Sequence, residues 1–102
     1  MKSHLINLYV PLNNPEGQIS AAYFEEIQKT LADRFGGVTA FTRAPAEGLW
    51  KPEKKIYRDD IVIFEVLTGS FDRSWWVDYR KNLEDKLLQE KILITVQEVF
   101  QI

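Results

Sequence analysis

The sequence predicts one α+β domain with the element order β-α-β-β-α-β, and three observations predict it. The first is length, because 102 residues make a single domain of common size, residues 1–102, with a modest core. The second is composition, since 45% hydrophobic residues with 3 Trp, 4 Tyr and 6 Phe favour a folded chain over a disordered one. The third is periodicity, because two segments repeat apolar residues at helical spacing and four others are typical of strands.

The first half of the chain predicts a strand, a helix and a second strand. Segment His4–Leu12 is rich in β-branched and aromatic residues and contains Pro11 near its end, which is typical of a strand. Ser20 is a suitable N-cap for a helix that runs to about Phe35, before two glycines that can end it. Val38–Arg43 follows as the second strand. The predicted apolar stripe of the helix consists of Phe24, Ile27, Leu31 and Phe35, with Glu25 and Lys29 as an ion pair on the opposite side.

The second half repeats this order. Ile56–Leu67 predicts the third strand, and Asp72 or Ser74 can cap a second helix that reaches Glu90. Ile92–Ile102 predicts the last strand. The apolar stripe of the second helix consists of Trp76, Tyr79, Leu83 and Leu87.

Two β-α-β units with right-handed crossovers give a ferredoxin-like plait, a four-stranded antiparallel sheet with both helices on one face. Strand side chains alternate between the two faces, so the faces can be assigned. The expected helix side carries Ile6, Leu8, Val10, Val62, Phe64, Val66, Ile92, Ile94 and Val96. The expected open face carries Leu5, Asn7, Tyr9, Phe41, Arg43, Ile61, Ile63, Leu93, Thr95 and Gln97.

The expected open face is too apolar for full contact with water, and a patch of this kind usually marks an interface or a ligand surface. We therefore expect a homodimer through the open sheet face or a strand edge, since twofold dimers are the commonest soluble assemblies. On this expectation Ile63→Asp breaks the assembly but leaves the monomer core intact. The alternative is a monomer in which the connection Ala44–Lys54 folds over the face.

Composition excludes several classes of function. The formal net charge of −2 gives no electrostatic reason to expect binding to nucleic acid. Zero cysteines exclude a disulfide scaffold and a cysteine nucleophile, and one histidine excludes a multi-histidine metal site in one chain. The longest apolar stretches are of strand length, and no targeting segment is visible, so we expect a cytoplasmic protein with no membrane association, no cofactor and no metal.

Three features could carry chemistry, and each has a simpler interpretation. His4, the single imidazole, has no evident partner and is more simply exposed or at a dimer edge. Asp59 and Asp60 are adjacent in a strand, so their carboxylates point apart and favour local ion pairs or solvation over chelation. Trp75 and Trp76 could stack on bases with help from nearby arginines, but helical spacing favours a place in or beside the core.

The most informative cluster lies beside the second and third strands. It consists of Arg43, Trp50, Lys51, Tyr57 and Arg58, and its three cations beside two aromatic residues would suit a small anionic ligand in a pocket. The alternative is that Trp50 is a hydrophobic plug and the charges are solvated. The open face adds residues that would line a cavity between two sheets. No catalytic residue is assigned, and the candidate ligand-binding residues are Tyr9, Phe41, Arg43, Trp50, Tyr57, Arg58 and Ile63.

Three short segments resemble a known pattern: Arg34–Thr39, Gly48-Leu49-Trp50 and the strand entry Tyr57–Ile61. They are similar to small bacterial proteins of an uncharacterised ferredoxin-like family, in which a helix ends in Arg-Phe-x-Gly-x-Thr and Gly-x-Trp follows. The similarity covers residues 5–100 in layout. It implies the plait fold and a bacterial source, and it carries no activity and no catalytic residue.

Two hypotheses for function follow from the sequence. The first is a small dimeric ferredoxin-like domain with a binding or regulatory role, based on the half-apolar face. The second is a small cofactor-independent enzyme of the dimeric α/β-barrel kind that acts on an apolar or aromatic small molecule. Fold alone does not choose between them.

Overall fold

Two helices and a four-stranded antiparallel sheet form most of the computed structural model, which describes residues 1–43 and 61–102. A short two-stranded hairpin follows the first long strand. The helices are α1 (Ala21–Phe35) and α2 (Arg73–Lys86). The strands are β1 (Lys2–Pro11), β2 (Asn13–Asn14), β3 (Gly17–Gln18), β4 (Thr39–Arg43), β5 (Ile61–Thr68) and β6 (Leu93–Phe100).

The strand order of the main sheet is β4-β5-β1-β6, and every neighbouring pair is antiparallel. The predicted α+β class is confirmed, and this order is compatible with a ferredoxin-like fold. Strands β2 and β3 pair with each other to form the hairpin between β1 and α1. Gly17 in this hairpin has a φ of 119°, a conformation that favours glycine because any Cβ would be strained there.

Several element boundaries differ from the prediction. Helix α2 ends at Lys86 and not at Glu90, because Leu88 has a left-handed φ of 55° that interrupts the helix. The carbonyl of Leu87, left free there, accepts a hydrogen bond from Asn14 Nδ2 at 3.1 Å. Of the predicted third strand, residues 56–60 lie outside the described part of the chain.

The predicted caps are confirmed for both helices. Ser20 Oγ accepts from the backbone N–H of Ala22 at 3.2 Å, and Asp72 Oδ1 accepts from Trp75 N at 3.1 Å. These side chains satisfy N–H groups that have no partner inside the helix. Lys29 forms an ion pair on α1, but its partner is Asp33 and not the predicted Glu25. Lys29 Nζ lies 3.2 Å from Asp33 Oδ2. Both carboxylates are one turn from Lys29, so helical spacing alone cannot choose between them.

The hydrophobic core lies on the predicted helix side of the sheet. It joins side chains of both helices to alternate residues of β1 and β5. Val96 lies on this side as predicted, since it is opposite Ile6, but it is 37% exposed because β6 is an edge strand. The buried core consists of Ile6, Leu8, Val10, Ile19, Ile27, Leu31, Phe64, Val66, Trp76, Leu83, Leu87 and Ile92.

A carboxylate fixes the connection between α2 and β6. Glu84 Oε2 accepts a hydrogen bond from the backbone N–H of Ile92 at 2.8 Å and lies 3.8 Å from Arg80 Nε. The Ile92 side chain is buried in the core, so this hydrogen bond satisfies a donor at the start of the last strand. This hydrogen bond therefore holds Ile92 in place, one residue before β6 begins to pair with β1.

Candidate binding face of the sheet

Four apolar side chains form one row across the second face of the sheet, the face opposite the core. The register places Phe41 opposite Ile63, Ile63 opposite Tyr9, and Tyr9 opposite Leu93. Directly opposed residues of antiparallel strands have Cβ atoms about 4.5–5.5 Å apart on the same face, so the four are contiguous. We call these residues the aromatic row. Phe41 and Leu93 are 43% and 54% exposed, whereas Ile63 is 4% exposed.

A polar row lies next to the aromatic row, two residues along each strand. It consists of Thr39, Glu65, Asn7 and Thr95, which the register places opposite one another. Thr95 Oγ1 lies 3.3 Å from the hydroxyl of Tyr9, which connects the two rows by a hydrogen bond. The buried Oδ1 of Asn7 has no hydrogen-bond partner in the described chain. The second face therefore places hydrogen-bonding groups and one carboxylate beside an apolar surface.

The residues predicted to bind a ligand are only partly described. Arg43 ends β4 at the register position opposite Ile61, one row beyond Phe41. The structure brings together Tyr9, Phe41 and Ile63 in the aromatic row. Outside the described residues lie Trp50, Tyr57 and Arg58, together with the connection Ala44–Lys54. A binding role for all seven stays a prediction.

Sequence reasoning did not single out the polar row as part of a site. Thr39 and Glu65 were not assigned to this face from the sequence, although strand alternation contains the signal for both. Glu65 lies two residues after Ile63, so both side chains point to the same face. Its pairing with Asn7 could not be inferred, because the register between β1 and β5 depends on tertiary contacts.

The tryptophan pair belongs to an aromatic cluster between the helices and the core. Trp76 is buried and stacks on Phe35 with ring centroids 5.3 Å apart. Trp75 stacks on Tyr79 at 4.8 Å, and the Arg34 guanidinium lies 4.4 Å from its ring centroid. The prediction that both tryptophans lie in or beside the core is confirmed. The guanidinium that contacts Trp75 belongs to Arg34, in the last turn of α1. Helical spacing within α2 could not reveal a contact with another helix.

A cleft of about 410 Å³ separates α1 from α2 on the side of this cluster. Two of its lining residues form an ion pair, since Lys86 Nζ lies 3.2 Å from Glu26 Oε1. Burial raises the pKa of Tyr79 to about 12, an effect that a hydrogen bond to Thr30 opposes and the Glu26 carboxylate reinforces. The lining residues are Glu26, Ile27, Thr30, Trp75, Asp78, Tyr79, Asn82, Leu83 and Lys86.

The raised pKa of Tyr79 predicts a loss of stability at alkaline pH. The phenol has a pKa of 10.0 when unperturbed and about 12 in the folded chain. Folding therefore favours the neutral phenol. Its contribution to the free energy of unfolding is fully present below pH 10 and is lost as the pH rises through 12. Urea denaturation at pH 8, 10 and 11 measures it. We expect Tyr79→Phe to lose less stability over this range than the wild type, whereas Tyr23→Phe at an exposed site behaves as the wild type. Equal pH dependence of Tyr79→Phe and the wild type would contradict the assignment.

His4 is less exposed than one of its two expected positions would make it. Its side chain is half-buried, with the ring centroid 6.0 Å from that of Phe71. The buried Nδ1 has no hydrogen-bond partner in residues 1–43 or 61–102. Of the two expected positions, full exposure does not occur, because the chain that follows β5 brings Phe71 against the ring, whereas a position at a dimer edge stays a prediction. No group able to orient His4 as a catalytic base is seen in this part of the chain.

The described residues contain no group of three or more acidic or histidine side chains that could hold a metal ion, and Asp59 and Asp60 lie outside them. Neither of the described helices has the length and apolar character needed to cross a membrane.

Comparison of the chain with known proteins gives no family assignment. No family model matches the sequence, and no curated protein is similar to it. The second face of the sheet is therefore the feature from which a function is inferred.

Proposed function

We propose that this protein is a small homodimeric ferredoxin-like domain with a binding or regulatory role, and that its second face takes an apolar or aromatic small molecule. The observation that carries the proposal is the aromatic row. It is continuous across all four strands of the sheet, and its outer members Phe41 and Leu93 are about half exposed. Exposed apolar surface of this kind is stabilised when a ligand or a partner removes it from water.

The ferredoxin-like plait, with both helices on one face, is part of this proposal. It is supported by the shared core, in which Ile27 and Leu31 of α1 and Trp76 and Leu83 of α2 pack with one set of alternate sheet residues. The strand order β4-β5-β1-β6 is compatible with two interleaved β-α-β units. In such a plait the helices leave the aromatic row accessible.

The dimer is supported by the apolar side chains that one chain leaves in water on the edge strand β6. Leu93, Val96 and Phe100 of this strand are 54%, 37% and 80% exposed. Sedimentation equilibrium at micromolar concentration tests this part. We expect a mass of twice the 11.9 kDa of the chain, and a monomer mass would contradict the dimer.

Binding to the aromatic row is tested with indole as a neutral aromatic probe. We expect indole to shift the backbone amide resonances of β1 and β5 around Tyr9 and Ile63 in an NMR titration. Phe41→Ser removes an exposed ring from the row, so we expect about tenfold weaker binding, a change of about 1.4 kcal/mol. Tyr23→Ser is the matched control, because Tyr23 is 39% exposed on α1, away from the sheet face.

The control decides how the titration is interpreted. Weaker binding by Phe41→Ser with unchanged binding by Tyr23→Ser supports the proposed face. Equal affinities for both variants, or no indole binding by the wild type, would overturn the binding role of the aromatic row.

One observation favours the enzyme of the dimeric α/β-barrel kind as a second candidate. Glu65 lies in the row beside Ile63 and Tyr9, so its carboxylate could exchange a proton with a ligand on the aromatic row. Phenylacetone is a suitable probe, since its acidic C–H protons lie between a ring and a carbonyl. In deuterated water the carboxylate would remove a proton, and the enolate would then take up a deuteron. Faster deuterium incorporation with wild type than with Glu65→Gln would support the enzyme, and equal rates would contradict it.

A further inference from the structure

Strand β6 leaves one long edge of the sheet without a partner in the described chain. It is the last strand in the order β4-β5-β1-β6 and pairs only with β1 in residues 1–43 and 61–102. In such a strand, the backbone N–H and C=O groups of alternate residues point away from the sheet. Over the eight residues Leu93–Phe100, this edge is a template for pairing with another strand.

Proline and lysine, two residues that usually prevent such pairing, do not occur in β6. The strand contains no proline, lysine or arginine, and its single charged residue is Glu98, which lies 3.7 Å from Lys2 Nζ. The strand is also longer than the five-residue edge strand β4. Its exposed apolar residues are Leu93, Val96 and Phe100, the last of them 80% exposed. The edge is therefore suited to pairing with another strand that has exposed apolar residues and few charges.

The sequence of β6 is nearly self-complementary when it is read outward from Val96. Antiparallel pairing centred there places Leu93 opposite Val99 and Thr95 opposite Gln97, and only Ile94 opposite Glu98 joins an apolar residue to a polar one. Centring on Gln97 would instead place Val96 opposite Glu98 and Thr95 opposite Val99. Both registers keep each side chain on its own face of the sheet, but the first places fewer apolar residues opposite polar ones.

We propose that two copies of this chain pair through β6, antiparallel and with Val96 at the twofold axis, to form a continuous eight-stranded sheet. This inference depends on the dimer of the proposed function and assigns it to the strand edge. The two Glu98 carboxylates lie apart in this arrangement, since each is opposite Ile94 of the partner subunit. The pairing also leaves both aromatic rows on the same side of the joined sheet, where each can take a ligand.

Site-specific cross-linking tests this register, because the natural chain has no cysteine. In Val96→Cys the two introduced residues are directly opposed, with Cα atoms about 4.5–5.5 Å apart. That distance is within the range of about 4.4–6.8 Å that a disulfide requires. In the matched control Glu98→Cys the two residues are displaced by four positions along the strands, or about 13 Å. Both sites are exposed, so each variant is expected to fold.

Mild oxidation followed by non-reducing electrophoresis is expected to give a covalent dimer for Val96→Cys and monomer for Glu98→Cys. Cross-linking of both variants, of Glu98→Cys alone or of neither would overturn the proposed pairing. Sedimentation of the uncross-linked wild type separates the two proposals. A dimer without the Val96→Cys cross-link contradicts only the β6 interface, whereas a wild-type monomer contradicts the dimer itself.

Discussion

Phe64→Ala is expected to lower the free energy of unfolding by about 3–5 kcal/mol. Phe64 is 1% exposed, and its ring stacks on Phe24 with centroids 6.5 Å apart. It belongs to the core cluster that joins both helices to β1 and β5. The substitution removes this apolar contact area and leaves a cavity that the surrounding side chains fill only in part.

Urea denaturation followed by far-ultraviolet circular dichroism measures this effect. A domain of this size has a total stability of about 5–15 kcal/mol, so the denaturation midpoint should fall sharply. Phe100→Ala is the matched control, because Phe100 is 80% exposed and its truncation should change stability by about 0.5 kcal/mol or less. Similar midpoints for the two variants would show that Phe64 does not lie in the core.

Ile63→Asp is expected to destabilise the folded chain by several kcal/mol, because burial of an unpaired carboxylate is strongly unfavourable. Ile63 is on the opposite face of β5 from Phe64, yet it is 4% exposed within one chain. The sequence alone predicts that this substitution would break an assembly and leave the monomer core intact. The burial of Ile63 changes that expectation, since the carboxylate would have to lose its hydration in the monomer as well.

Two control variants separate charge from packing in this experiment. Ile63→Val removes one methylene and is expected to cost about 0.5–1.5 kcal/mol. Leu93→Asp places a carboxylate in the same aromatic row at a site that is 54% exposed, so the fold should be retained. Wild-type stability for Ile63→Asp would contradict the burial of Ile63 in the single chain.

Local patterns were sufficient to predict the helices and the two sides of the central strands. The spacing of Phe24, Ile27 and Leu31 requires one face of α1 to leave water, and alternation places Phe64 and Ile63 on opposite faces. Ser20 and Asp72 act as caps through hydrogen bonds to residues two or three positions away. Such features depend on neighbours in sequence, so the sequence contains the information.

The candidate site was predicted less completely than the fold. Tyr9, Phe41 and Ile63 follow from alternation once the faces are assigned. Their arrangement in one row depends on the registers of β1 with β5 and of β4 with β5. A register is chosen by the packing of whole strands, so it cannot be read from any one of them. For the same reason Glu65 was not recognised beside Asn7.

The sequence by itself therefore determined the α+β class, the helix stripes and caps, and the side of the sheet on which each strand residue lies. Only the tertiary structure decided the strand registers, the contact of Arg34 with Trp75 and the near-complete burial of Ile63. The physical reason is the range of the interactions. Helical and strand periodicity arises from backbone geometry within a few residues, whereas registers and burial arise from side chains that are distant in sequence and meet only after folding.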